Sequence, residues 1–212
     1  YECDLGTAEL NLPDATQIKQ RAFLNAGGIK SVTFGNALQT VAQYAFYGCP
    51  NLQSAQNIAN VEDCAFMNCN SLETTTFNSN CSTIGPSAFQ SCVSITYFEI
   101  KNDNDVRLGK DAFTNCSNLS EIYIKAKTIN LYASAERSVD YTAFDGTTKL
   151  QKMTLLATSA DGLDLNYNYI TYKFIFTRTN YYSALSNCGN LHYIQIQNLK
   201  NSFAMSEFSS RS

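Results

Sequence analysis

The sequence predicts a solenoid of the α/β kind: about seven irregular coils of chain, each giving one strand to a parallel β-sheet and a short helix or turn to the opposite face. Three observations lead there. First, an Ala-Phe pair with an apolar residue four places before the Ala recurs as Ile18…Ala22-Phe23, Val41…Ala45-Phe46, Val61…Ala65-Phe66, Ile84…Ala88-Phe89, Leu108…Ala112-Phe113 and Val139…Ala143-Phe144, with a weaker copy at Ala184-Leu185. Second, the steps between the phenylalanines are 23, 20, 23, 24 and 31 residues, then 41 to Leu185; repeats with periods in the twenties stack into solenoids. Third, the apolar spacing changes inside each repeat. Ala88, Phe89 and Cys92 have the one-turn spacing of a helix face, whereas Ile95, Phe98 and Ile100 end in the alternation of a strand.

Taken in order, residues 1–17 read as a partial leading layer and N-terminal cap: Leu10 and Leu12 alternate like a strand, and Pro13-Asp14 closes it with turn chemistry. The repeats occupy 18–196. After each Ala-Phe segment comes a turn such as Gly27-Gly28, Pro50-Asn51, Asn70-Ser71 or Ser117-Asn118. An apolar strand opener follows, Ile29, Leu52, Leu72, Ile95, Leu119, Leu150 or Leu191. Three and five places further on the residue is usually apolar again: Val32/Phe34, Ala55/Asn57, Thr75/Phe77, Phe98/Ile100, Ile122/Ile124, Met153/Leu155 and Ile194/Ile196. Strands that return through the same path each time must run parallel. Insertions at 125–138 and 156–182 lengthen the fifth and sixth layers. The second holds Tyr167, Tyr169, Tyr172, Tyr181 and Tyr182, and the alternation at Tyr172, Phe174 and Phe176 reads as an added strand rather than an aromatic platform. The tail 197–212, with Leu199, Phe203, Met205 and Phe208, reads as a C-terminal cap; the whole of 1–212 is then one domain.

Composition narrows the function. The 212 residues carry a net charge of −3 with no Lys/Arg run, which argues against a nucleic-acid or anionic-membrane partner. No apolar run reaches the roughly 18 residues of a membrane helix, so direct membrane insertion is not expected. Five of the eight cysteines, Cys49, Cys69, Cys92, Cys116 and Cys188, occupy one slot three residues after the Phe or Leu, where other repeats carry Ala26 and Thr147. A slot that takes Cys, Ala or Thr calls for a small residue under a turn, so free buried thiols are expected there. Cys3, Cys64 and Cys81 lie outside it, and any disulfide must come from these three.

Strand positions between the apolar ones form two outward ladders. One is Ser31, Ser54, Thr74, Tyr97, Glu121, Lys152 and Tyr193; the other is Thr33, Gln56, Thr76, Glu99, Tyr123, Thr154 and Gln195. Short hydroxyl and amide groups fill the first three layers, and from the fourth onward aromatic and charged groups gather. Tyrosine brings a large contact area at low entropy cost. The expected protein-binding face is therefore Tyr97, Glu99, Glu121, Tyr123, Lys152 and Tyr193. Catalysis is not expected. His192 is the single histidine, so neither a histidine triad nor a zinc site can be assembled around it. Glu99 and Glu121 could stand on adjacent strands as an acid/base pair, but no pocket is implied. The run Asn102-Asp103-Asn104-Asp105 lacks the Gly and closing Glu of a calcium loop and reads as a solvated turn. No cofactor or metal is expected.

The pattern apolar-x-x-x-Ala-Phe-x-x-Cys-x-x-Leu-x-x-Ile-x-Ile, as in Leu108 to Ile124, resembles the BspA-like leucine-rich repeat over about residues 10–196. It departs at Ala26, at Thr147 and in the Leu185 copy. The resemblance implies a right-handed leucine-rich-repeat solenoid on a secreted or surface-anchored protein of a host-associated microbe. It further implies adhesion-type binding of a host or extracellular protein, with a glycan as another possible partner. The other class in view is a structural spacer of a cell-surface layer with no ligand of its own.

Overall fold

The computed structural model describes residues 8–131, 143–159, 163–164, 190–191 and 193–197. Within these, odd- and even-numbered strands alternate along the chain and build two separate faces. The first face comprises β1 (Ala8–Leu12), β3 (Ile29–Phe34), β5 (Ser54–Ile58), β7 (Thr74–Phe77), β9 (Tyr97–Lys101), β11 (Glu121–Ala126), β13 (Lys152–Ala157) and β15 (Tyr193–Gln197). The second comprises β2 (Gln17–Ile18), β4 (Thr40–Val41), β6 (Asn60–Val61), β8 (Thr83–Ile84), β10 (Asp105–Leu108), β12 (Thr128–Leu131) and β14 (Leu163–Asp164). Every pairing is parallel.

The result is a parallel-sheet β-solenoid of about five turns, which run without a break from β1 to β11. Seven repeats are not supported. The Ala184-Leu185 copy lies outside the described residues, and so do Cys3, the tyrosine cluster with its expected strand, Cys188, His192 and the tail 198–212.

The short helices are also corrected: the described residues contain none. The Ala-Phe segments are turns in which two positions per layer adopt left-handed backbone. One precedes the Ala (Arg21, Tyr44, Cys64, Ser87, Asp111) and the other precedes the small-residue slot (Asn25, Gly48, Asn68, Ser91, Asn115, Gly146), with φ between 54° and 71°. An α-helix needs every residue right-handed. Alternating hands turns alternate N–H groups out of the layer instead. Tyr44, Phe46 and Gly48 donate to the carbonyls of Asp63, Ala65 and Met67 at 3.1, 2.8 and 2.8 Å, and Cys64, Phe66 and Asn68 repeat this on Pro86, Ala88 and Gln90. Bonds back to the third residue before, as from Ala45 to Ala42, hold the turn itself.

The apolar residues four before each Ala mark the repeat register in the sequence, without an assigned element. In the fold Ile18, Val41, Val61, Ile84 and Leu108 close the rungs of the seven-stranded second sheet, all buried. Both insertions shrink accordingly. Lys125 and Ala126 belong to β11, Leu131 pairs with Leu108, and Leu156, Ala157 and Leu163–Asp164 belong to β13 and β14; Val139 lies outside the described residues.

Between the faces runs the core. The phenylalanine of each turn stacks on the next: Phe23, Phe46, Phe66, Phe89, Phe113 and Phe144 have successive ring centroids 4.9, 5.1, 5.3, 5.7 and 5.7 Å apart, within 17° of parallel. Beside the stack stands the small-residue slot, and its thiols do more than fill space. Cys49, Cys69, Cys92 and Cys116 each donate Sγ–H, at 3.0 Å, to the carbonyl of the phenylalanine one layer back. All four are free, as are Cys64 and Cys81, so a Cys64–Cys81 bridge is excluded. Burial pushes the thiols of Cys81 and Cys116 up to about 12, which keeps both protonated.

Candidate protein-binding face

The first face is two sheets, not one. β1, β3, β5 and β7 form one ladder and β9, β11, β13 and β15 another, with no backbone hydrogen bond joining β7 to β9. At that step the inward slot grows from Ala55 and Thr75 to Phe98. The Phe98 ring packs edge-on against Phe77, Phe89 and Phe113 at 5.1, 5.8 and 4.5 Å. The change in outward chemistry falls at the same seam.

On the first sheet the outward rows are Glu9, Ser31, Ser54 and Thr74, and Asn11, Thr33 and Gln56. The β1 members were not part of the sequence reading. A bulge in β5, with Asn57 at φ 62°, puts Ile58 rather than Asn57 opposite Phe77, which explains the polar residue at an expected core position. Asn57 instead donates to Phe34 O at 3.0 Å and to Asn36 Oδ1 at 2.9 Å.

On the second sheet all six expected residues come together. Tyr97, Glu121, Lys152 and Tyr193 form one row across the strands; Glu99, Tyr123, Thr154 and Gln195 form the next. Glu99 and Glu121 are therefore diagonal to one another, and each is engaged by a lysine. Glu99 Oε1 lies 2.5 Å from Lys101 Nζ and accepts the Tyr97 hydroxyl at 2.6 Å. Glu121 Oε1 lies 2.6 Å from Lys152 Nζ. The same ammonium groups sit over aromatic rings, Lys101 5.0 Å from the Tyr123 centroid and Lys152 5.8 Å from that of Tyr193, within the range of cation–π attraction. Sequence reasoning missed Lys101, although it continues the outward alternation of β9 by one more step.

These contacts set the protonation of the face. Burial works to raise the Glu99 carboxyl, but the Lys101 ammonium and the Tyr97 hydroxyl outweigh it and hold the group below its ordinary range. Partial burial and the bond to Glu99 push the Tyr97 phenol up, so it remains a donor. Contact with Glu99 raises Lys101, and contact with Glu121 raises Lys152. Glu99, held ionised by Lys101 and Tyr97, is not placed to be the protonated acid of an acid/base pair. Tyr97 and Tyr193 remain 43% and 44% exposed, among the most exposed large apolar surfaces of the described residues. Thr154, expected outward, is buried instead, with no partner for its hydroxyl among the described residues.

The calcium-like run is built as a turn. Asn102 donates to Cys81 O at 2.7 Å and accepts from Asn104 N at 3.0 Å, Asn104 donates to Ser79 O, and Asp105 accepts the Thr128 hydroxyl at 2.8 Å. The amides of this run tie one layer to the one before it.

Layers piled one on the next, each adding a strand to either face and one aromatic to a stack, define a repeat solenoid. The chain belongs to the family of the BspA type leucine rich repeat region, whose model matches six copies over residues 1–62 and 51–161. Among solved structures it is similar to a leucine-rich repeat protein of T. pallidum, at 20% identity and a TM-score of 0.55 over 70% of this chain and 69% of that one. It is also similar to a leucine-rich repeat protein from Bacteroides ovatus, at 20% identity and a TM-score of 0.60 over 88% of this chain. The match spans 42% of the Bacteroides protein's length. At these identities the likeness is one of fold. No curated protein matches the chain.

Proposed function

We propose that the chain is a non-catalytic binding module of a secreted or surface-attached bacterial protein, and that it holds a host or extracellular protein against the outward face of β9, β11, β13 and β15. The contact residues are Tyr97, Glu99, Glu121, Tyr123, Lys152 and Tyr193. One observation carries this reading: exposed tyrosines stand on the two edge strands of one sheet, with the charged residues between them already held in place by internal ion pairs. Such a surface loses little side-chain freedom on binding. Four strands about 4.8 Å apart, with three outward positions on each, give a flat area of about 400 Å², roughly half of the 800 Å² per partner of a standard interface. Membership of a family whose repeats are a scaffold for surfaces is consistent with this use.

The test is a screen of the immobilised protein against purified extracellular-matrix proteins, serum proteins and glycans, repeated with the Tyr97→Ala/Tyr123→Ala double variant. The expected result is capture of at least one protein, lost in the double variant while its melting temperature stays unchanged. Capture of nothing would point to a spacer. Capture unaffected by the double substitution would move the site off this face.

A further inference from the structure

Lys101 and Lys125 are directly paired across β9 and β11, with backbones one strand spacing, about 4.8 Å, apart. Like charges so placed cost stability unless something negative lies between them. Glu99 answers Lys101, which leans over Tyr123. Lys125 is different: it is exposed, and its ammonium has no hydrogen-bond, ion-pair or ring partner among the described residues. Lys127 is exposed two residues further along the same stretch. One strand further on, Lys152 is engaged by Glu121. At the Lys101–Lys125 step itself two ammonium groups stand with one carboxylate, that of Glu99, so the step is net positive in a chain of net charge −3.

We infer that the Lys101–Lys125 step is an anion-reading corner of the binding face, and that it takes a carboxylate from an extended, acidic segment of a protein partner. The inference rests on the proposed use of this face. A carboxylate with one oxygen toward each ammonium would relieve the like-charge pair, and the Tyr123 ring beside Lys101 adds contact area. The rest of the face limits the kind of anion. Glu99 and Glu121 lie within the patch and repel a polymer charged at every unit, such as a sulfated glycan. An extended peptide presents alternate side chains to one side every 6.6 to 6.8 Å or so, and can set an acid on the lysines while giving hydroxyl or amide donors to Glu99 and Glu121.

The experiment is a titration followed by backbone amide NMR shifts, with three probes: a short peptide alternating Glu with Thr, the same peptide with Gln for Glu, and heparin oligosaccharide. The Glu-Thr peptide should shift the amides of β9 and β11 and bind at least about tenfold more tightly than the Gln-Thr peptide. Lys125→Glu should remove that difference, and so should high salt. Thr33→Glu, on the outward row of the first sheet, should leave it intact. Equal binding of the two peptides, or binding indifferent to Lys125→Glu, would overturn the inference; so would Lys125-dependent binding of heparin alone. If the protein screen finds a partner that needs Tyr97 and Tyr123 but not Lys125, the corner fails while the binding face stands. If captured partners ignore the tyrosines, the face itself fails.

Discussion

Phe89 lies between Phe66 and Phe113 in the stack, 5.3 and 5.7 Å from their centroids and completely buried. Cutting it to Ala removes contacts on both sides in a core that layers on either side cannot easily collapse to fill. Phe89→Ala is expected to cost about 3 to 5 kcal/mol in a denaturant titration. An unchanged midpoint would mean that the stack is not the spine of the fold. Glu99 is the corresponding test on the surface. Its folded carboxyl titrates below the ordinary value of 4.5, so its contribution is complete above that value and is lost as the pH falls through the folded one. Wild type should therefore exceed Glu99→Gln in urea midpoint at pH 7, and the two should converge once the pH has fallen below the folded value. A difference that persisted in acid would show that the side chain acts by packing, not by its charge.

At the scale of elements, the seam between β7 and β9 interrupts one face only. The second sheet and the turn ladder continue across it, since β8 pairs with β10 and Ser87, Phe89 and Ser91 donate to Lys110, Ala112 and Thr114. Thr75 faces inward at the seam with a buried hydroxyl that has no hydrogen-bond partner among the described residues. Its isostere removes that unmet need, so Thr75→Val should raise stability by about 1 kcal/mol, measured by thermal and urea unfolding. A loss of stability would indicate that water meets the hydroxyl. The seam also shows why strand existence was easier to read than strand pairing. Alternation marks Tyr97 to Ile100 as a strand, yet whether it pairs with β7 depends on how two layers meet, which alternation within one layer does not carry. The turns divide in the same way. Asn and Gly recur before the small-residue slot, as left-handed backbone favours, so that position was visible. The other left-handed position holds Arg21, Tyr44, Cys64, Ser87 and Asp111, a set with no common preference. With that second signal absent, the spacing of Ala88, Phe89 and Cys92 looked like a helix.

Across the whole molecule, each layer is made stable by its neighbours, and the same slot can serve core, ladder and surface in turn. Repetition is a property of the chain itself, so the phenylalanine spine, the parallel strands and the two outward rows were determined by sequence alone: any shift in register would have turned Phe46 or Phe66 toward water. The identity of the six face residues followed from the same parity. What only the tertiary structure decided is how layers meet. The second sheet consists of rungs as short as two residues, too short to leave an alternating pattern. The Cys thiols reach a carbonyl in another layer, and Glu121 finds Lys152 from 31 residues away. Those outcomes depend on distances between coils, which spacing along one coil does not encode.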